Sequence, residues 1–190
     1  FDFAQGPASL PGRSLREPRH TLRVMARRVS HPLEAAAVLI KEMKRNDCIA
    51  LLTRAKLGRL ACAHEGQPYI TPMSWVYEHN YLYAFSTPGQ KIRWLRENPL
   101  ACVEFEEIVG QDDWATVIVL GRYEELWETP EYADIRDKAY QLLRKRPGWW
   151  NPGYAKTELE GGERPMEPLF FRIEINQISG HQALRNATGG

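Results

Sequence analysis

Cysteine is scarce in this chain, no long apolar run occurs, and net charge is nearly absent; each shortage narrows what the protein can be. The three cysteines, Cys48, Cys62 and Cys102, are odd in number, irregularly spaced and set among apolar residues. They read as free buried thiols of a reducing compartment, not as a disulfide framework. No CxxC occurs, which removes the zinc-ribbon and thioredoxin-type readings. The histidines, His20, His31, His64, His79 and His181, show no metal-ligand spacing, so no metal is expected. No apolar run approaches the roughly 20 residues that span a bilayer. The N-terminal stretch lacks the basic, apolar, small-residue order of a secretory signal. The expectation is a cytoplasmic protein with no membrane partner. A net charge of +1 lacks the basic excess of a dedicated nucleic-acid binder. A GxxxxGK[ST] phosphate loop is also missing, and nothing argues for a Ser-His-Asp constellation. Glu104, Glu106 and Glu107 read as surface charge at a strand end.

What is present fits an ordinary globular domain, with 43% hydrophobic and 26% charged residues. A chain of 190 residues can bury its own core. Residues 1–32 differ from the rest. They carry Pro7, Pro11, Pro18 and Pro32, with Arg13, Arg16, Arg19, Arg23, Arg27 and Arg28 against only Asp2 and Glu17. They read as a flexible basic tail, with a nucleic-acid-touching arm or a transit peptide as the functional alternative. The chain begins at Phe1, and Met25 and Met43 both offer natural starts. Residues 33–185 form the expected domain, and 186–190 a frayed end.

Mixed three- and four-residue steps of Ala35, Ala36, Ala37, Leu39, Ile40, Met43 and Ile49 predict helix over Leu33 to Leu52, interrupted by a cap at Asn46-Asp47. The period then changes to two. Strands are expected at Gly58–His64, Tyr69–Tyr77 and Tyr81–Phe85, joined by tight turns into a meander, with Pro72 marking an edge or a bulge. A short helix follows at Gln90–Glu97 and ends at Asn98-Pro99. Leu100–Phe105 and Thr116–Glu124 are further strands, Tyr132–Arg144 a helix, and Leu169–Ile175 a sixth strand, with Ile178-Ser179-Gly180 closing the fold. No βαβ alternation repeats, so six antiparallel strands with flanking helices point to a closed or half-open barrel.

Chemistry concentrates in YAFSTPGQKIRWLRENP, Tyr83 to Pro99. A strand ends in Ser86-Thr87, passes Pro88-Gly89 and starts a helix at Gln90-Lys91. Two hydroxyls, free N–H groups at a helix start and one ammonium suit a phosphate. The plainer alternative is a helix cap beside a solvated lysine. In GQPYITPMSWVY, Met73 and Trp75 suit a flat ring, or else plain barrel core. In WATVIVLGRYE, Thr116 is placed to add a hydroxyl to the anion site from an adjacent strand.

Taken in order, GRLACAHEGQPYITPMSWVY, YLYAFSTPGQKIRWLRENPLACVEF, WATVIVLGRYEEL and the late FFRIEINQISGH resemble the pyridoxamine 5'-phosphate oxidase-like, FMN-binding split-barrel proteins. The resemblance implies a six-stranded antiparallel split β-barrel that binds FMN and works as a flavin-dependent oxidoreductase on a small molecule. It implies that Thr71, Pro72, Met73, Ser74 and Trp75 run beside the ring and ribityl chain. It further implies that Ser86 and Thr87 contact the flavin, that Gln90 and Lys91 bind the phosphate, and that Thr116 also reaches the cofactor. Each site would be shared within a homodimer. Relatives of this fold leave deazaflavin F420 or haem as alternative ligands, and a non-enzymatic flavin binder or sensor as the alternative function.

Departures from the pattern restrict the activity. Gln90-Lys91 stands where oxidases of pyridoxamine phosphate carry Arg-Lys, and their substrate-gripping Arg- and His-bearing C-terminal segment has no equivalent here. Ser86 stands where nitroimidazole-resistance relatives place a histidine. Both named activities are therefore disfavoured. The Trp149-Trp150 segment is read either as a cover over a flat ligand or as a packed loop or dimer contact.

Overall fold

The computed structural model describes residues 38–146 and 169–185. The basic tail, the Trp149-Trp150 segment and the 186–190 end lie outside the described residues. In chain order the elements are β1 (Val38–Glu42), α1 (Arg45–Arg54), β2 (Leu57–His64), β3 (Gln67–Ser74), β4 (Val76–Glu78), β5 (Tyr81–Ser86), α2 (Gln90–Glu97), β6 (Leu100–Gly110), β7 (Asp113–Leu126), a 3-10 turn at Pro130–Tyr132, α3 (Ala133–Leu143) and β8 (Leu169–Arg185). Among the described residues no helix is long and apolar enough to cross a membrane.

All strands join one antiparallel sheet in the order β3-β2-β6-β7-β8-β5-β4, with β1 paired to β8. The two ends of this path, β3 and β4, are neighbours in the chain, separated only by Trp75. The sheet therefore curls until its ends meet in one chain segment, yet β3 and β5 do not pair. This open closure is the split barrel. Its interior is apolar: Leu60, Val103, Phe105, Val117, Val119, Phe171 and Ile173 are all fully buried. Removing that surface from water, at about 25 cal/mol per Å², is the main favourable term. α3 covers β5 and β8 with Ala139 and Leu143.

Local signals place most elements. Glu65 (φ 49°) and Gly66 (φ 79°) turn β2 into β3, and His79 (φ 45°) with Asn80 (φ 69°) turns β4 into β5. Two successive left-handed residues match the twist of a two-residue hairpin. Asn80 is held there by its side-chain N–H donation to Ile175 O at 2.9 Å. Pro72 lies on β3, which pairs only with β2, so its missing N–H falls at a sheet edge as expected.

Four expectations are corrected. Of the helix expected over Leu33–Leu52, residues 33–37 lie outside the described residues, Val38–Glu42 is a strand whose register runs from Val38↔Arg185 to Glu42↔His181, and α1 begins at Arg45. An open β8 edge outweighs the local helical pattern of these residues. Asn46-Asp47 caps nothing, because α1 starts after Lys44 with no side-chain cap. The three-strand meander is absent: the expected strand Tyr69–Tyr77 breaks at Trp75, sending β3 and β4 to opposite ends of the sheet. Trp75 is fixed at the break by its backbone N–H to Lys56 O at 3.2 Å and its indole N–H to Gly58 O at 3.3 Å. The sixth strand runs on to Arg185, past Ile178-Ser179-Gly180, and with β1 added and the expected Tyr69–Tyr77 strand split in two, the described residues hold eight strands rather than six.

Candidate functional site

Along β3 the side chains alternate. Thr71 and Met73 face inward with Trp75, while Ile70, Pro72 and Ser74 are exposed. β3 runs close to β5, whose end carries Ser86. Ser86 is 2% exposed and its hydroxyl donates to the Thr87 carbonyl at 3.1 Å, which engages its proton and leaves its oxygen able to accept. The chain then crosses Pro88 and enters α2 through an extended Gly89 (φ 176°, ψ −170°) that brings no side-chain cap. The first-turn N–H groups of α2 are left to other acceptors.

Gln90 is exposed, whereas Lys91 is half-buried. Lys91 lies beside Cys62 of β2, whose register partner on β3 is Tyr69. Burial pushes the Lys91 ammonium below the ordinary lysine value, with the Cys62 thiol acting in the opposite sense. Among the described residues no carboxylate pairs with Lys91. A partly desolvated cation without a counter-charge is a costly feature in a fold and a good receptor for an anion.

Thr116 is placed elsewhere. β7 is not adjacent to β5, because β8 lies between them. Ser86 is registered on Leu169 and Thr116 on His181, twelve positions apart along β8. That is roughly 40 Å of strand. The expected contribution of Thr116 from an adjacent strand is therefore corrected: within one chain its hydroxyl does not reach the end of β5. Its surroundings are nevertheless suggestive. Thr116 Oγ1 is buried and has no hydrogen-bond partner. It borders a groove of about 390 Å³ lined also by Glu104, Glu106, Ile108 and Trp114. An unpaired buried hydroxyl costs about 1–3 kcal/mol. A second groove, about 310 Å³ between Thr129 and Arg136, touches none of the expected site residues.

Sequence reasoning missed the surroundings of α2. His64 stacks on Trp94 at 5.6 Å with its Nε2 against the Glu97 carboxylate, and Trp94 also meets Tyr69 edge-on at 5.8 Å. Arg96 grips Glu125, 29 residues away, and Tyr123 donates its hydroxyl to the same carboxylate. No local spacing announces such pairs.

Known proteins resemble the chain over this same region. The family model described as pyridoxamine 5'-phosphate oxidase matches residues 44–182. An uncharacterised Rhizobium meliloti protein is 36% identical over 146 residues, covering 77% of this chain and 97% of its own. The crystal structure of a FAD-binding protein from Mesorhizobium loti is 39% identical with a TM-score of 0.63, over 78% of this chain and 99% of that one. A FAD-binding protein from Mycobacterium smegmatis, at 18% identity and a TM-score of 0.53 over 76% of this chain and 100% of its own, shares the fold. Since the family match runs from the residue before α1 to near the end of β8, taking in β3, β5, α2 and β7, the chain belongs to the pyridoxamine 5'-phosphate oxidase family.

Proposed function

We propose that this protein binds a flavin nucleotide, FMN in the first instance, with its phosphate at Lys91, and acts as a flavin-dependent oxidoreductase on a small molecule. The observation that carries the reading is the half-buried Lys91 with no carboxylate beside it, in the first turn of a helix lacking a side-chain cap. A phosphate supplies the missing charge and accepts from the free N–H groups. Thr71, Pro72, Met73, Ser74 and Trp75 would flank the ring and ribityl chain, with Ser86, Thr87 and Gln90 nearer the phosphate. Bound flavin supplies the redox chemistry, while the protein orients it and limits access to it.

Thr116 enters through a second copy of the chain. Thr116 stands five residues along β7 from Gly121, which lies across β6 from the Cys62 beside Lys91, roughly 17 Å of strand, and this separation supports a homodimer with each cofactor held between protomers. We place the protein in the cytoplasm, where Cys48, Cys62 and Cys102, all unpaired, stay reduced. FAD is the second reading for the cofactor, favoured by the 39% identical Mesorhizobium loti protein described as FAD-binding.

The test is direct. Purified protein should be yellow, or turn yellow with added flavin, and mass measurement of the heat-released ligand distinguishes FMN from FAD. A colourless protein that leaves both in free solution would overturn the reading. Reduction of the bound flavin by NADH or NADPH with steady turnover supports the oxidoreductase; flavin bound but inert to reductants leaves a binder.

A further inference from the structure

We propose that the Arg96–Glu125–Tyr123 cluster is a positioning device that sets where Lys91 meets the cofactor phosphate, and this rests on the reading of Lys91 as the phosphate ligand. Ile92 and Leu95 seat α2 in the core, and among the described residues its polar ties lie at its last turn. Its N-terminus follows an uncapped Gly89, whereas its last turn is tied to two different strands. Arg96 donates from Nε and Nη2 to the two oxygens of Glu125 at 2.8 and 2.7 Å, and its guanidinium lies 5.1 Å over the Trp127 ring. The Tyr123 hydroxyl donates to Glu125 Oε2 at 2.8 Å. On the other side, Glu97 pairs with His64, and Asn98 Nδ2 donates to Ala63 O at 2.8 Å.

Glu125 is only 7% exposed. A carboxylate so buried gains little net stability from its partner, because desolvation offsets the attraction. Its bidentate geometry, by contrast, fixes direction. Arg96 and Lys91 stand five residues apart on α2, about 7.5 Å along the axis. α2 packs on β2, and the Arg96–Glu125 pair ties it to β7, so a shift of this short helix between the two strands carries the Lys91 ammonium with it.

The experiment compares FMN with riboflavin, which lacks the phosphate, in the full-length protein. Their affinity ratio reads phosphate recognition alone, and thermal unfolding reads the fold. Arg96→Met/Glu125→Met, made in a Tyr123→Phe background so that no buried hydroxyl loses its acceptor, replaces the pair by apolar side chains of similar size, a change that is often neutral or stabilising. The double variant is expected to keep its melting temperature while the ratio falls about tenfold. Tyr123→Phe, which leaves the Arg96 fork in place, is expected to lower it less. An unchanged ratio in the double variant, or in a folded Glu125→Gln protein should the double variant fail to fold, overturns the proposal. Lys91→Ala is the control on the underlying reading: a ratio unaffected there means that the phosphate assignment itself is wrong.

Discussion

Ser86 and Thr116 are both registered on β8, but on Leu169 and His181, twelve positions apart. One strand thus separates two residues that the family pattern assigns to one cofactor. The proposed second protomer would bring both to one site, and this relationship generates the first prediction.

Lys91→Ala and Thr116→Val should each impair flavin binding in homodimers. Co-expressed, they should regain it, because each mixed dimer carries one site with neither substitution. Flavin content per protein, measured by absorbance after tandem-tag purification of mixed dimers, is the readout. Failure of mixed dimers to bind more than either parent would place Thr116 and Lys91 in sites that do not cross the interface.

Lys91→Met should weaken FMN binding by about 1.5–3 kcal/mol, the value of a charge-assisted hydrogen bond. Stability of the flavin-free protein should hold or rise, since an unpartnered, partly buried ammonium is removed. The sign with pH follows from its lowered folded pKa. Between that value and the ordinary 10.5 the unfolded chain binds more protons, so wild-type stability should rise with pH in this window. The Lys91→Met variant should lack that rise in urea melts taken across it.

Gly121→Ala should destabilise the protein by about 3 kcal/mol. Gly121 follows a register shift in the β7–β8 pairing, and a Cβ there would stand 2.3 Å from Glu174 O and 2.5 Å from Ile173 Cγ2. One contact is backbone, so no rotamer change relieves it. A urea midpoint equal to wild type would mean that β7 and β8 separate here at little cost.

Trp75→Phe should cost about 2 kcal/mol, through the lost indole donation to Gly58 O and the lost volume. Trp75 is 1% exposed and meets Phe171 edge-on at 5.7 Å. Because this residue marks the break between β3 and β4, hydrogen exchange should quicken at β3 more than at β6. Uniform exchange along the sheet would contradict its role at the corner.

The sequence by itself determined what short-range physics controls. Alternation marked β2, the Gly- and Asn-bearing stretches Glu65–Pro68 and Glu78–Asn80 marked the turns that follow β2 and β4, and the Pro88-Gly89 step marked the start of α2. Ser86, Thr87 and Lys91 stood out as a possible anion site because a strand end, a Pro-Gly step and a helix start act within a few positions. Tertiary structure alone decided that Val38–Glu42 is a strand, that the chain breaks at Trp75, that Arg96 finds Glu125, and that Thr116 lies far from Ser86. Each depends on strand neighbours drawn from distant parts of the chain. Such pairings are selected by burial and packing of the whole sheet, which no local window of sequence contains.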